Sequence, residues 1–181
     1  MSQKLTTQQM CRLTVEQFRQ AEKLPVVVVL DNVRSQNNIG SVFRTADAFR
    51  IERIELCGIC STPPHREIHK TALGAEESVA WGYTADTAEC LRRLKSEGYK
   101  IYAVEQVDDS VKLDRWHESA ASRAEKLAIV LGNEVDGVQP SLLPLCDGSI
   151  EIPQAGTKHS LNVSCAAAIV MWELFKGYPI D

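Results

Sequence analysis

The sequence alternates short apolar runs with longer stretches in which apolar residues recur at helical spacing. Runs of this kind, rich in β-branched residues, predict strands that are buried on both faces. The predicted strands cover residues 26–30, 54–57, 79–83, 100–104, 127–132 and 150–152. The predicted helices run from Thr6 or Thr7 to Leu24, over 41–49, from Asp86 or Thr87 to Gly98, and over 161–176. This alternation predicts an α/β fold with a doubly wound, Rossmann-like parallel sheet.

The chain contains no repeat, low-complexity tract or linker, so residues 1–181 are predicted to form a single domain, with 1–24 as an N-terminal helical extension. The charged segment 108–125 is predicted to be a surface connection with a turn or two of helix. The last predicted helix, 161–176, is apolar on nearly every side. A helix of this kind needs two apolar partners. We therefore expect one face to pack on the sheet and the other on a second subunit, which makes the protein a homodimer.

Polar residues follow two of the predicted strands and precede the last helix. Glu134 comes just after the apolar run that ends at Gly132, and a polar loop over 154–159 leads to Ser160, the predicted cap of the last helix. Ligand sites of open α/β sheets lie at the carboxyl ends of the strands. The sequence therefore predicts a site where these strand ends and this helix start converge.

A third polar segment, residues 31–40, joins the first strand to the second helix and contains Asn38. A strand followed by a loop and a helix places the amino end of the helix at a ligand and favours an anion there. Arg44 follows six residues after Asn38 in the same helical stretch. Taken alone, Asn38 is better interpreted as a helix cap, and Arg44 as the ion-pair partner of Asp47.

Charge and composition limit the classes of protein that are possible. A formal net charge of −4 excludes a uniformly basic nucleic-acid coat, so an RNA partner requires clustered basic residues. The first residues lack the apolar core of a signal peptide, and no stretch approaches the roughly 18 apolar residues of a membrane-spanning helix. We expect a cytoplasmic protein that does not enter a membrane.

The cysteines raise the question of a metal site. Cys57 and Cys60, followed by His65 and His69, resemble zinc-ligand spacing. Because Cys57 ends an apolar strand and two prolines lie in the linker, the cysteines are better interpreted as small buried hydrophobic residues. We expect neither disulfides nor a metal.

Three groups of residues follow one another along the chain: Asn38-Ile-Gly-Ser-Val-Phe-Arg44, then Leu131-Gly-Asn-Glu134 with Gly137, then Ile150-Glu-Ile-Pro153 with Ser160-Leu-Asn-Val-Ser164. In that order they resemble the first, the second and the remaining motif of the SpoU-type methyltransferases of the SPOUT superfamily. The stretch from Lys70 to Ser78 is a further similarity. The resemblance implies transfer of a methyl group from S-adenosylmethionine (AdoMet) to the ribose 2′-hydroxyl of tRNA or rRNA. It also implies a SPOUT fold with a C-terminal trefoil knot.

The resemblance assigns roles to nine residues of this chain. The implied catalytic residues are Asn38, Arg44, Glu134, Ser160 and Asn162. The implied cofactor-binding residues are Val104, Gly132, Ile152 and Leu161. The family's proposal makes Arg44 the activator of the ribose hydroxyl. An arginine is a poor base because it is essentially always protonated, so we favour its planar fork of donors holding the target phosphate and ribose.

Two other classes of function compete with methyl transfer. An RNA-binding or assembly protein could keep the fold without turnover, although the complete set Asn38, Arg44, Glu134 and Asn162 argues for catalysis. The α/β pattern also suggests a dinucleotide oxidoreductase. That class lacks support because no Gly-x-Gly-x-x-Gly follows the first strand.

Overall fold

A computed structural model describes residues 3–6, 9, 12–119, 122, 125–176 and 178. The strands are β1 (Leu24–Asp31), β2 (Ile51–Cys57), β3 (Ala80–Thr84), β4 (Lys100–Val104), β5 (Val111–Lys112), β6 (Leu127–Leu131) and β7 (Gly148–Glu151). The α-helices are α1 (Val15–Gln20), α2 (Gln36–Ala48), α3 (Arg66–Ala72), α4 (Ala75–Ser78), α5 (Thr87–Ser96) and α6 (Val163–Phe175). Short 3-10 helices cover Leu113–Glu118 and Leu143–Leu145.

The strands form one seven-stranded sheet in the order β3-β2-β1-β6-β4-β7-β5. Every described pair is parallel. The predicted parallel α/β sheet is thus confirmed. The carboxyl ends of β1, β6, β4 and β7 lie side by side, so the loops that follow them share one edge of the sheet.

Apolar residues cover both faces of the sheet, as the continuous runs predict. Along β1, Val28 and Leu30 face a layer formed by α2, α3 and α6, whereas Val27 and Val29 face a layer that includes α5. All four side chains are fully buried. Burial of a valine or leucine side chain contributes roughly 1.5–3 kcal/mol, so the central strand is a large source of stability and a rigid base for the loops at its end.

A close helix crossing fixes the position of α2. A Cβ atom added at Gly40 would lie 2.1 Å from Thr71 Oγ1 and 2.3 Å from the Ile68 carbonyl oxygen. Thr71 Oγ1 also donates to the Asn37 carbonyl oxygen at 2.9 Å. The small residue lets α3 touch α2 next to Asn38, and α3 is thereby tied to the predicted site.

The prediction of a first helix from Thr6 or Thr7 to Leu24 is wrong at both ends, although residues 7, 8, 10 and 11 lie outside the described part of the chain. The helix starts at Val15, because Thr14 and Gln17 form a reciprocal capping box. Leu24 belongs to β1. Pro25, predicted to end the helix, lies inside the strand, at a register shift where its missing N–H is tolerated.

The start of the last helix also differs from the prediction. Asn162, not Ser160, is the N-cap of α6, and its Oδ1 accepts from the backbone N–H groups of Ser164 at 2.9 Å and Cys165 at 3.4 Å. The predicted two-sided apolar character is present. Met171 is fully buried, whereas Ile169 is 40% and Trp172 50% exposed.

The described part of the segment 108–125 contains the predicted turn of helix, as the 3-10 helix Leu113–Glu118, but it is not only a surface connection. It supplies β5, and Leu113 and Trp116 of its 3-10 helix are buried, with Trp116 making an edge contact to Tyr102 at 5.4 Å between ring centroids. Within the described residues, no helix has the length and apolar character needed to cross a membrane. The trefoil knot stays a prediction.

Candidate functional site

Glu134 joins the loop after β6 to the loop after β1. Its carboxylate accepts from the backbone N–H groups of Arg34 at 3.0 Å and Ser35 at 2.9 Å, and from Asn38 Nδ2 at 3.1 Å. These donors belong to the last turn before α2 and to its first turn. Glu134 is therefore an anion at the amino end of α2, where the helix dipole favours negative charge.

The hydrogen bonds to Glu134 set its protonation state. Burial raises the pKa of the carboxyl group, but the N–H groups of Arg34 and Ser35 and the Asn38 amide outweigh that effect and lower the pKa below its ordinary value. Glu134 is consequently ionised at neutral pH. A carboxylate with a lowered pKa and three donors is a weak proton acceptor, so its role is to hold the loops together.

Asn38 continues this connection to α6. Its Oδ1 accepts from Asn162 Nδ2 at 3.1 Å, and the Oδ1 of Asn162 caps α6. Glu134 can only accept, so the Asn38 amide must turn its NH₂ toward Glu134 and its oxygen toward Asn162. The alternative that Asn38 is the helix cap is not seen, because Ser35 caps α2 through its side chain.

A cavity of about 650 Å³ lies beside this Glu134–Asn38–Asn162 chain. It is lined by all four predicted cofactor-binding residues, Val104, Gly132, Ile152 and Leu161. Glu134, Ser160 and Asn162 line it as well. Its volume falls in the usual range for small-molecule sites, and its mixture of aliphatic side chains with a few polar groups suits a flat, partly polar ligand.

Gly132 is required by the backbone of the cavity wall. A Cβ atom there would lie 1.9 Å from the carbonyl carbon of Gly137. Asn133 and Gly137 exchange two backbone hydrogen bonds of 3.0 Å each, and Gly137 has a positive φ of 69°. The missing side chain of Gly132 therefore lets the backbone at Gly137 cross over it.

Arg44 stands apart from the cavity. It is exposed on the outer side of α2 and does not line the 650 Å³ space. Within the described part of the chain it has no ion-pair partner, and Asp47 instead accepts from Ser78 Oγ at 2.5 Å. The structure therefore does not contain the Arg44–Asp47 pair.

Three polar residues of this edge are absent from the sequence prediction. Glu105 lines the cavity and accepts from the N–H of Val138 at 3.0 Å, while Gln106 donates to the His159 carbonyl oxygen at 2.8 Å. Asp31, fully buried at the end of β1, accepts from Thr87 Oγ1 at 2.6 Å. Asp31 and Glu105 come directly after predicted strands and Gln106 follows one residue later, which is the pattern that also identified Glu134.

The zinc-like spacing does not assemble a site. Cys57 and Cys60 are buried beneath the sheet edge, whereas His65 and His69 are exposed on α3 and its cap. Among the residues that the structure describes, no group of three or more His, Cys, Asp or Glu side chains could hold a metal ion.

Comparisons with known proteins agree with the motif resemblance. The chain is 30% identical over 172 residues to an uncharacterized tRNA/rRNA methyltransferase of Synechocystis sp., covering 92% of this chain and 42% of the relative. It is 32% identical over 149 residues to a 23S rRNA (guanosine-2′-O-)-methyltransferase of Neisseria meningitidis, covering 82% and 57%. An AdoMet-bound rRNA methyltransferase from Sinorhizobium meliloti has a TM-score of 0.76 at 26% identity, covering 88% and 59%.

These matches have a defined extent. The chain spans 42% to 59% of the length of those three proteins, so each of them contains sequence without a counterpart here. The model of the SpoU rRNA Methylase family matches residues 25–172, which begin within β1 and end near the end of α6. The matched region contains the sheet except for Leu24, the first residue of β1, and the complete Glu134–Asn38–Asn162 chain. The protein belongs to the SpoU rRNA methylase family.

Proposed function

We propose that the protein transfers a methyl group from AdoMet to a ribose 2′-hydroxyl of tRNA or rRNA. The observation that supports this most is the Glu134–Asn38–Asn162 chain, which brings three separate motifs together beside a cavity of about 650 Å³. The name of the Neisseria relative specifies a 2′-O-methyltransferase. The other relatives reported above are named for tRNA or rRNA without a stated target atom.

The cavity is the proposed AdoMet site, and its residues suit that ligand. Ile152 and Leu161 offer aliphatic surfaces that could enclose an adenine ring, and the loop backbone around Gly132 offers N–H and carbonyl groups. AdoMet carries its methyl group on a sulfonium sulfur, and that sulfur is already an excellent leaving group. The protein therefore needs mainly to position the two reactants, and proximity alone can contribute a large share of the rate.

The acceptor would lie on the side of Asn38 and Arg44. Arg44 is exposed there, and its five donors match a phosphate and a ribose oxygen. Neither Arg44 nor Glu134 is a good base, because the guanidinium stays protonated and the Glu134 pKa is lowered. We assign Arg44 to positioning the target nucleotide, whose own phosphate assists loss of the hydroxyl proton. Glu134, Asn38 and Asn162 hold the loops, and Ser160 shapes the cavity mouth.

We also propose that the active form is a homodimer. Cys165, Ile169 and Trp172 form an exposed stripe along α6, and Leu161 extends it to the cavity. Trp172 packs at 5.7 Å from Phe49, which widens the apolar surface toward α2. Exposed apolar side chains that cluster in this way mark an interaction site.

The decisive experiment combines the protein with labelled AdoMet and undermodified cellular RNA. A methylated 2′-oxygen cannot attack the adjacent phosphate, so the label should appear in dinucleotides that resist alkaline hydrolysis. Label found only on bases would refute the ribose assignment. RNA binding without AdoMet binding or any incorporated label would instead favour the assembly-protein alternative.

A further inference from the structure

A second cavity, separate from the proposed AdoMet site, lies at the β3 edge of the sheet. This edge pocket has a volume of about 520 Å³ and is lined by Pro63, His65, Arg66, His69, Glu76 and Trp81 among others. β3 is the outermost strand of the described sheet. The pocket is therefore open to a large partner.

Two aromatic side chains are exposed on β3. Trp81 pairs in register with Ile54, and Tyr83 with Leu56, so both rings lie on the face of the sheet that carries α2 and α3. Trp81 is 37% and Tyr83 51% exposed. Residues two apart on a strand are separated by roughly 6.5–7 Å, so the rings form two neighbouring stacking surfaces.

The rim of the edge pocket carries cationic groups. Arg66 is exposed and makes no ion pair with any residue that the structure describes. The hydrogen bond from His69 to Glu76, 2.5 Å long, raises the pKa of His69 and favours its charged form. Glu77 is an opposing carboxylate on the rim. Arg66 is thus the group best suited to hold a phosphate.

The wall of the edge pocket contains a hydrogen-bond acceptor that lacks a partner. The Glu76 side chain is only 10% exposed, and its Oε2 is buried without a hydrogen bond in the described structure. A buried polar atom without a partner costs free energy. A ligand that brings an N–H donor to this oxygen would remove this cost.

We infer that the edge pocket binds an unpaired nucleobase of the RNA, stacked on Trp81, with the adjoining phosphate at Arg66. A flat face, N–H donors and a neighbouring negative charge occur together in a nucleotide, and single-stranded RNA is recognised by stacking on exposed aromatic rings. This inference rests on the proposed function for the identity of the RNA. It adds a binding site outside the nine residues to which the resemblance assigns roles.

The position of α3 explains how this pocket would serve methyl transfer. Residues at the start of the helix line the pocket, and Thr71 near its end bonds the Asn37 carbonyl oxygen beside Asn38. A seven-residue helix is about 10 Å long. The bound base would consequently belong to a nucleotide near the target in the RNA sequence, and the pocket would help to select that site.

The test uses the whole protein and an unstructured 12-nucleotide oligoribonucleotide of mixed sequence. We expect the oligonucleotide to quench tryptophan fluorescence and Trp81→Ala to raise its dissociation constant roughly 5- to 150-fold, the range for loss of one base–aromatic stack. Trp81→Phe should restore most of the affinity. Leu73→Ala removes an apolar side chain that is 63% exposed at the C-cap of α3 and does not line the pocket, so it should have no effect.

Steady-state kinetics separate this inference from the proposed function. In the methylation assay, Trp81→Ala should raise the KM for RNA and leave kcat unchanged. The dissociation constant for AdoMet should also stay unchanged. Active enzyme whose RNA affinity and KM do not respond to Trp81→Ala would overturn the inference and leave the proposed function intact. If the oligonucleotide binds in a way that depends on Trp81 but the protein transfers no methyl group, the inference would stand and the proposed function would be overturned. A change of sedimentation in Trp81→Ala would indicate a protein contact at this edge and also overturn the inference.

Discussion

The ionised state of Glu134 can be tested by Glu134→Gln. The glutamine keeps the shape and one acceptor oxygen, but it turns an NH₂ group toward the donors of Arg34, Ser35 and Asn38. Hydrogen bonds to charged groups contribute roughly 1.5–3 kcal/mol each, and solvent at this exposed edge reduces that figure. We expect a loss of about 1–2 kcal/mol of unfolding free energy, or roughly 2–8 °C in Tm for a chain of this size.

The pH dependence gives the sharper result. Because the folded pKa of Glu134 lies below its ordinary value of 4.5, the carboxylate stabilises the fold above that pH and loses this effect as the pH falls through the folded value. The difference in unfolding free energy between wild type and Glu134→Gln should have its full value at pH 7 and shrink below about pH 4.5. Denaturant titrations at several pH values measure it.

A matched control isolates the role of the anion. Asp136→Asn removes a carboxylate two residues away that is exposed, and it should leave stability unchanged at every pH. If Glu134→Gln is as stable as wild type at pH 7, or if the difference grows on acidification, Glu134 does not join the loops as an anion. The Glu134–Asn38–Asn162 chain would then lose its physical basis.

Three further changes test other parts of the site. Arg44→Ala should lower kcat roughly 10²- to 10⁴-fold with little change in AdoMet affinity, and Arg44→Lys should recover only a small part; a parallel loss of AdoMet binding would contradict this. Gly132→Ala should destabilise by at least about 1–3 kcal/mol, since its Cβ meets the Gly137 backbone at 1.9 Å, and an unchanged Tm would refute the crowding. Trp172→Glu should shift the protein from dimer to monomer in sedimentation, with Ile169→Glu doing the same; a wild-type monomer would rule out the dimer.

The parallel sheet could be predicted because the apolar runs are unambiguous. Residues 26–30 and 127–132 have no alternative to burial on both faces, and they became adjacent central strands. Glu134 could be placed at the carboxyl edge for the same reason. The three donors to Glu134 could not be predicted. The Asn38 side chain is 96 residues away in sequence, and its orientation depends on both Glu134 and Asn162.

Element boundaries depended on contacts that sequence patterns do not report. By propensity, α6 could be capped equally well by Ser160 or Asn162. In the structure the cap is Asn162, which also bonds to Asn38. The first helix is shorter than its apolar spacing indicates, because Leu13 and Val15 are exposed and make no apolar face. Trp81 drew no functional prediction, since one aromatic residue in a short apolar strand resembles ordinary core.

The long sequence separations within the Glu134–Asn38–Asn162 chain have a consequence for biosynthesis. Asn38 bonds to a residue 96 positions later and to another 124 positions later. Contacts of such long range form late, because the chain must close large loops first. On the ribosome, the amino-terminal strands can be complete while residue 162 has not yet been synthesised. A nascent chain or a fragment truncated before α6 would therefore display an unfinished pocket, and methyl-donor binding should report that synthesis has reached the last helix.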